Sequence, residues 1–197
     1  MTESSVPKVG GLLLAAGGSR RLGEPKQLLE FEGKTLLRRA AEALCESDCE
    51  PVIVVLGAEI ERSKNEIDDL TISLVVNDEW ERGMSSSIRG GLEKLLLLEP
   101  EIDAVMITLC DQPFVTEEKI GLFIKEFERN RAPTIAAQYN DLLGVPALFS
   151  REIFDALLNL KGDKGARDLI RQTDSAISID LPEAAFDIDT TNDLENA

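Results

Sequence analysis

The chain has 197 residues and no histidine. That absence removes the Ser-His and Cys-His nucleophile pairs and the common histidine-based zinc centres, so any chemistry must run on carboxylates, cations or a metal. Cysteine is scarce, and Cys45, Cys49 and Cys110 form an odd set that argues against a disulfide framework. Cys45 and Cys49 stand four apart, but without histidine or a second cysteine pair they read as ordinary thiols rather than zinc ligands. No run approaches the ~20 apolar residues of a membrane-spanning helix, and Met1 to Lys8 is too short and polar for a secretory signal. The expectation is a soluble, cytoplasmic protein with no membrane partner. Positive charge is also short: 21 Lys and Arg face 37 Asp and Glu, giving a net charge of −16. Nucleic-acid binding needs a basic footprint, so no nucleic-acid partner is expected. An anionic ligand would have to be drawn in locally, against the field of the whole molecule.

There are no repeats or low-complexity stretches. At 43% hydrophobic content, a flexible tail over 1–8 and a single domain over 9–197 is the default. Strand and helix patterns alternate. Leu12 to Ala16, Pro51 to Leu56, Ile72 to Val76 and Ala104 to Leu109 read as buried strands. Helices are expected from Thr35, over Ala58 to Ile67, from Ser85 to Leu98, after Thr116, from Ser150 to Leu160 and over Gly165 to Gln172. Thr35, Ser85, Thr116 and Ser150 would cap them. Thr134 to Gln138 and Val145 to Phe149 suit an antiparallel pair, Ala176 to Leu181 a further strand, and Thr191 the start of a last helical turn. Strands joined by helices imply a mostly parallel α/β sheet covered on both faces, with ligands beyond the carboxyl ends of the strands.

Those ends carry the informative residues. Gly17 and Gly18 follow the first strand, where positive φ would let successive N–H groups converge on an anion. Arg20, Arg21 and Lys26 then place three cations close by in a strongly acidic chain. A glycine turn with solvated cations is the other reading of this stretch. Gly18 and Gly23 have the Walker spacing, but Glu24-Pro25 stands where that loop needs Lys-Ser/Thr, and the dinucleotide G-x-G-x-x-G is missing. Topology sets the Gly17 turn, the loop near Asn77 and Asp111 on one rim. Asp111 directly follows a buried strand, and Asp189 ends a second short extended segment, Phe186-Asp187-Ile188-Asp189-Thr190. Each reads as a turn or cap residue or as a ligand. Two rim aspartates opposite a phosphate nest would suit Mg²⁺, which takes hard oxygen ligands and leaves room for substrate phosphates.

Leu14-Ala15-Ala16-Gly17-Gly18-Ser19-Arg20-Arg21-Leu22-Gly23, with Pro25-Lys26-Gln27-Leu28-Leu29, resembles the signature L-A-A-G-x-[GS]-x-R-[MLF]-G-x-x-K of the MobA-like nucleotidyltransferases. Within that family it looks nearest to the molybdenum cofactor (molybdopterin) cytidylyltransferases. Gly83 to Leu92 resembles the family's G-M-x-x-S-[ILV]-x-x-G-[LI] segment near the base and ribose, which includes Ser87. Cys110-Asp111-Gln112-Pro113, Gly144 to Phe149 and Leu160 to Arg167 resemble further family stretches. The resemblance runs from Val9 to about Leu194. It implies a three-layer α/β/α fold, Rossmann-like, with one strand reversed, as in nucleotide-diphospho-sugar transferases.

The implied reaction is Mg²⁺-dependent transfer of CMP from CTP, or another nucleoside monophosphate from its NTP, to a phosphate-bearing acceptor, with pyrophosphate leaving. Molybdopterin is the favoured acceptor and a molybdoenzyme client a further partner. By this resemblance Leu14, Ala15, Ala16, Gly17, Gly18, Ser19, Arg20, Arg21, Lys26, Asn77 and Ser87 bind the nucleotide. Lys26, Arg20 and Asp111 carry catalysis, Asp111 and Asp189 hold the metal, and Gln112, Pro113, Gly144, Asp163 and Arg167 lie on the acceptor side. Ala16, where guanylyl members tend to have glycine, points to CTP. A sugar- or polyol-phosphate cytidylyltransferase and a non-catalytic carrier of the molybdenum cofactor are the alternatives. A dinucleotide-dependent oxidoreductase is disfavoured by the missing fingerprint.

Overall fold

The computed structural model describes residues 6–18, 25–162, 165–173, 176–188 and 193. The strands are β1 (Val9–Ala15), β2 (Glu30–Phe31), β3 (Lys34–Thr35), β4 (Val52–Leu56), β5 (Ser73–Val76), β6 (Ala104–Leu109), β7 (Thr134–Tyr139), β8 (Leu142–Ser150) and β9 (Ile177–Asp180). The α-helices are α1 (Leu36–Glu46), α2 (Ile60–Asn65), α3 (Met84–Leu98), α4 (Glu117–Asn130), α5 (Phe154–Leu158) and α6 (Ala166–Gln172).

Seven strands form one sheet in the order β5-β4-β1-β6-β8-β7-β9. Only β8 runs against the rest, pairing antiparallel with β6 and β7, while β9 is parallel to β7. A two-residue link, Asn140 and Asp141, both at positive φ, is too short for a crossover and forces this reversal. β1 is buried along its whole length and sits between β4 and β6, which is why it reads as an unbroken apolar run rather than an alternating one.

Side-chain alternation along the strands divides the core into two layers. Leu13, Ala15, Val54, Leu56 and Met106 pack with Leu37, Ala41 and Leu44 of α1 and Ile120, Phe123 and Phe127 of α4. Leu12, Leu14, Ile53, Val55, Val105 and Ile107 pack on the other face with Ile88, Leu92 and Leu95 of α3, Phe154 and Leu157 of α5 and Ile170 of α6. The result is the expected three-layer α/β/α arrangement. Gly91 lets α3 lie close to the sheet, since a Cβ there would stand 2.3 Å from Leu12 Cδ1 and 2.9 Å from Val55 Cγ2.

A third, smaller core joins Leu29, Phe31, Leu36 and Ile188 with Phe114 and Phe186. It contains the β2–β3 hairpin, whose turn residues Glu32 and Gly33 both take positive φ, as a two-residue hairpin turn requires. Ahead of β1 the chain is already held: Lys8 N donates to Asp103 Oδ2 at 2.8 Å, and Lys8 Nζ pairs with Glu99 at 3.1 Å.

The caps divide. Thr35 caps α1 as expected, its hydroxyl accepting from Arg38 N. Thr116 and Ser150 hold the cap positions without a side-chain bond to their helices. Ser85 is not a cap at all: α3 starts one residue earlier with Gly83 in that position at φ 105°, and Ser85 Oγ donates instead to Gly162 O at 2.7 Å. The helix expected from Ser150 to Leu160 begins as a 3₁₀ turn at Arg151–Ile153 and ends at Leu158. The turn expected at Thr191 lies outside the described residues.

Candidate functional site

The parallel registers bring four strand ends level. Ala15 is opposite Leu56, Leu56 opposite Val76, and Leu14 opposite Leu109. The residues that follow, Ala16 to Gly18, Gly57, Asn77 and Asp111, therefore share one rim. Two bonds lock it: Ala58 N donates to Ala16 O at 3.3 Å and Asn77 N to Leu56 O at 2.8 Å.

The glycine turn differs from expectation. Gly17 and Gly18 do not lie in the left-handed region; among the described residues the positive-φ glycines are Gly33, Gly83 and Gly162. Gly17 has open space where a side chain would go. At Gly18 the constraint is steric, since a Cβ would stand 2.5 Å from Trp80 Cη2. Ser19, Arg20 and Arg21, expected to bind the triphosphate, lie outside the described residues, as do Asp163 and Asp189.

The chain re-enters the rim at Pro25, whose φ of −64° leads into a 3₁₀ turn over Lys26–Leu28. Gln27 is 1% exposed and anchors the turn by donating from Nε2 to Ala58 O at 3.2 Å. This places Lys26 Nζ 2.7 Å from Asp111 Oδ2, with the two side chains 16% and 22% exposed. The other carboxylate oxygen, Asp111 Oδ1, is buried with no hydrogen-bond partner among the described residues. A buried anionic oxygen left bare costs energy unless a cation or donor meets it. Asp111 therefore fits a hard divalent cation. No group of three or more His, Cys, Asp or Glu side chains comes together among the described residues, so most of such an ion's ligands would come from phosphate and water.

The C-terminal segment arrives at the same place. Ile188 N donates to Asp111 O at 3.0 Å, and Ile188 is buried in the third core beside Phe114 and Phe186. The main chain just ahead of Asp189 is thus fixed against Asp111. Next to Asp111, burial first and then the Asp111 charge push the Cys110 thiol up to about 12. That favours the neutral thiol over the reactive thiolate.

Further along the rim, Asn77 Nδ2 donates to Ser86 Oγ and Ser87 Oγ, both at 2.9 Å, and Asn77 Oδ1 accepts from Glu79 N at 3.0 Å. The structure thus brings Asn77 and Ser87, both expected to bind the nucleotide, into contact. Leu14 and Ala15 are not rim residues, since both are buried within the sheet with their side chains in opposite core layers. Of the apolar run, Ala16 is the residue that reaches the rim.

The residues expected on the acceptor side sort into two groups. Gln112, 3% exposed, donates from Nε2 to Val145 O at 3.1 Å and Ala184 O at 2.8 Å. Val145 O also accepts from Tyr139 Oη at 3.3 Å, and Tyr139 Oη accepts from Arg167 Nη2 at 3.2 Å. Gly144 lies under the same hydroxyl, where a Cβ would stand 2.2 Å from Tyr139 Oη. Gln112, Gly144 and Arg167 thus converge on one network. Pro113 does not join it, because its carbonyl accepts from Arg39 Nε at 2.8 Å beside the Phe31 ring.

Sequence reasoning missed Gln27, Gly57 and Trp80. The signal for Trp80 was there: it is the single tryptophan of the chain, in a loop directly after a strand. Gly57 bears on the same ring, as a Cβ there would stand 2.5 Å from Ala16 O and 2.7 Å from Trp80 Cγ.

Comparison with known proteins agrees with this architecture. The family profile described as the MobA-like NTP transferase domain matches residues 11–177. The nicotine blue oxidoreductase of Paenarthrobacter nicotinovorans is 31% identical over 179 residues, spanning 87% of this chain and 86% of its own. A probable molybdenum cofactor guanylyltransferase of Pyrococcus horikoshii is 29% identical over 199 residues, spanning 95% and 97%. Among solved structures, that of Rv0371c from Mycobacterium tuberculosis H37Rv matches with a TM-score of 0.82 at 26% identity, covering 98% of each chain.

Proposed function

Because this chain belongs to the MobA-like NTP transferase family, we propose that it moves CMP from CTP to a phosphate-bearing acceptor of the molybdopterin type and releases pyrophosphate. The observation that carries this reading is Asp111, with one oxygen on the Lys26 ammonium at 2.7 Å and the other buried and bare, at the rim beside the Gly17 turn.

The reaction forms a bond from an acceptor phosphate oxygen to the α-phosphorus. The bond from that phosphorus to the β-phosphate oxygen breaks, and pyrophosphate leaves with the electron pair. The acceptor phosphate is already ionised near neutral pH, so alignment and charge neutralisation matter more than a general base, which suits a chain without histidine. Gly17, Gly18 and Ser19 hold the β- and γ-phosphates by backbone N–H groups, with Arg20 and Arg21 adding charge. Lys26 turns from Asp111 toward the α-phosphate and stabilises the charge that gathers on the leaving group. Asn77 orders the start of α3 through Ser86 and Ser87, where the base and ribose lie. A Mg²⁺ ion on Asp111 and Asp189 would supply charge neutralisation and orient the triphosphate. The network of Gln112, Gly144, Tyr139 and Arg167 shapes the acceptor side.

Ala16 supports CTP, while the guanylyltransferase name of the Pyrococcus relative supports GTP. The test is a panel of the four NTPs with Mg²⁺ or Mn²⁺ against molybdopterin and against sugar and polyol phosphates, reading pyrophosphate. Release with CTP and molybdopterin is the expected result; release with GTP alone would move the specificity, and molybdopterin binding without turnover on any NTP would make the protein a carrier.

A second reading has its own support in the 31% identity to a protein named nicotine blue oxidoreductase. Under it the chain is an oxidoreductase, the class that the missing dinucleotide fingerprint disfavours. Binding of NADH or NADPH by the purified protein, and no pyrophosphate release with any NTP, would favour it.

A further inference from the structure

Glycine at position 18 is not demanded by the family signature, which leaves that position open, nor by the backbone, which is not left-handed there. The ring of Trp80 demands it. A Cβ at Gly18 would meet Trp80 Cη2 at 2.5 Å and Cζ3 at 2.9 Å, and one at Gly57 would meet Cγ at 2.7 Å and Cβ at 2.8 Å. The indole therefore lies across two turns of the rim, with its stem on Gly57 and its six-membered edge on Gly18. The segment that carries it is fixed from the α3 side. Trp80 N donates to Asn77 O at 3.3 Å and Gly83 N to Trp80 O at 3.1 Å, while the Asn77 amide holds Ser86 and Ser87. A rigid ring clamped at one end sets where the backbone at its other end can run.

We infer that Trp80 is a positioning residue for the phosphate-binding turn, and that Gly18 is glycine to admit the indole. The role toward a triphosphate rests on the function proposed above; the packing of Trp80 on Gly18 does not. Trp80 links the start of α3 to the turn that cradles phosphate, so order at one end is passed to the other.

The test is a double-mutant cycle of Gly18→Ala, Trp80→Ala and the two combined, with Trp80→Phe as the conservative variant. Each protein is titrated with CTP and Mg²⁺ by calorimetry, and each is melted without nucleotide. A displacement of about 1 Å in a positioning element costs up to about 10²-fold, so each single alanine variant is expected to weaken CTP at least about tenfold. The double variant is expected to bind no more weakly than Trp80→Ala alone, because the clash has gone with the ring, and Trp80→Phe to keep most of the affinity. In turnover the loss should fall on KM for CTP rather than on kcat. The melting cycle should be non-additive in the same sense. Additive losses in both readouts, or CTP binding by Trp80→Ala equal to wild type, would overturn the inference. No CTP binding by the wild type together with a coupled melting cycle would sink the nucleotide reading and Trp80's role in it, and leave the ring–glycine packing standing.

Discussion

At Asp111 one carboxylate oxygen takes the Lys26 ammonium and the other is buried without a partner among the described residues. A purely structural ion pair would satisfy both oxygens, since a half-satisfied buried carboxylate is a liability. Directly before Asp111, burial pushes the Cys110 thiol up to about 12, as it does for Cys49. Cys45 is only part-buried. A thiol-reactive dye at pH 8 should therefore label Cys45 first and reach Cys49 and Cys110 only after unfolding, read by mass spectrometry of the peptides. Prompt labelling of Cys110 in the native protein would show that the floor of the site is open.

At the scale of elements, α1 is tied to its surroundings by charge. Burial pushes the Glu42 carboxyl up, but hydrogen bonds from Lys34 and then Arg38 outweigh it and hold Glu42 below its ordinary value of 4.5. A depressed folded-state value means stability that is present in full above pH 4.5 and lost as pH falls through the folded value. Acid melts of wild type should steepen below pH 4.5, and Glu42→Gln should flatten that slope; an unchanged slope would remove Glu42 from the acid response. Where α3 meets the sheet, Gly91→Ala puts a methyl 2.3 Å from Leu12 Cδ1 and should cost about 1–3 kcal/mol of stability in urea melts. A neutral result would mean that α3 can lift off the sheet freely.

The elements were largely legible in the sequence, because buried parallel strands are continuous apolar runs and the helices between them carry one apolar face. Thr35 and the antiparallel pair of β7 and β8 followed from local chemistry. What failed was decided by partners distant in sequence. Ser85 looks like a cap until Gly162 claims its hydroxyl, and the bond from Arg39 to the Pro113 carbonyl has no sign in the local sequence. Gly18 suggested a positive φ, when the reason for glycine is a ring 62 positions later. The Lys26–Asp111 pair, 85 residues apart, was anticipated only as two charges on one rim.

At the scale of the molecule, the net charge of −16 repels itself, with a screening length of about 10 Å at 0.1 M salt. Raising NaCl from about 10 mM to about 150 mM should raise the melting temperature, and a fall would mean that ion pairs such as Arg38–Asp69 outweigh the repulsion. Under the proposed function an acidic molecule has to receive a polyanion, and the sheet ends four parallel strands level at the rim that carries Lys26 and Asp111. The most direct measurement is calorimetric titration of CTP into wild type and Asp111→Asn, each with and without Mg²⁺. Binding that depends on Mg²⁺ in the wild type and is lost in an Asp111→Asn protein of unchanged melting temperature is the predicted result. Equal, Mg²⁺-independent binding by both would contradict the placement of the triphosphate on Asp111.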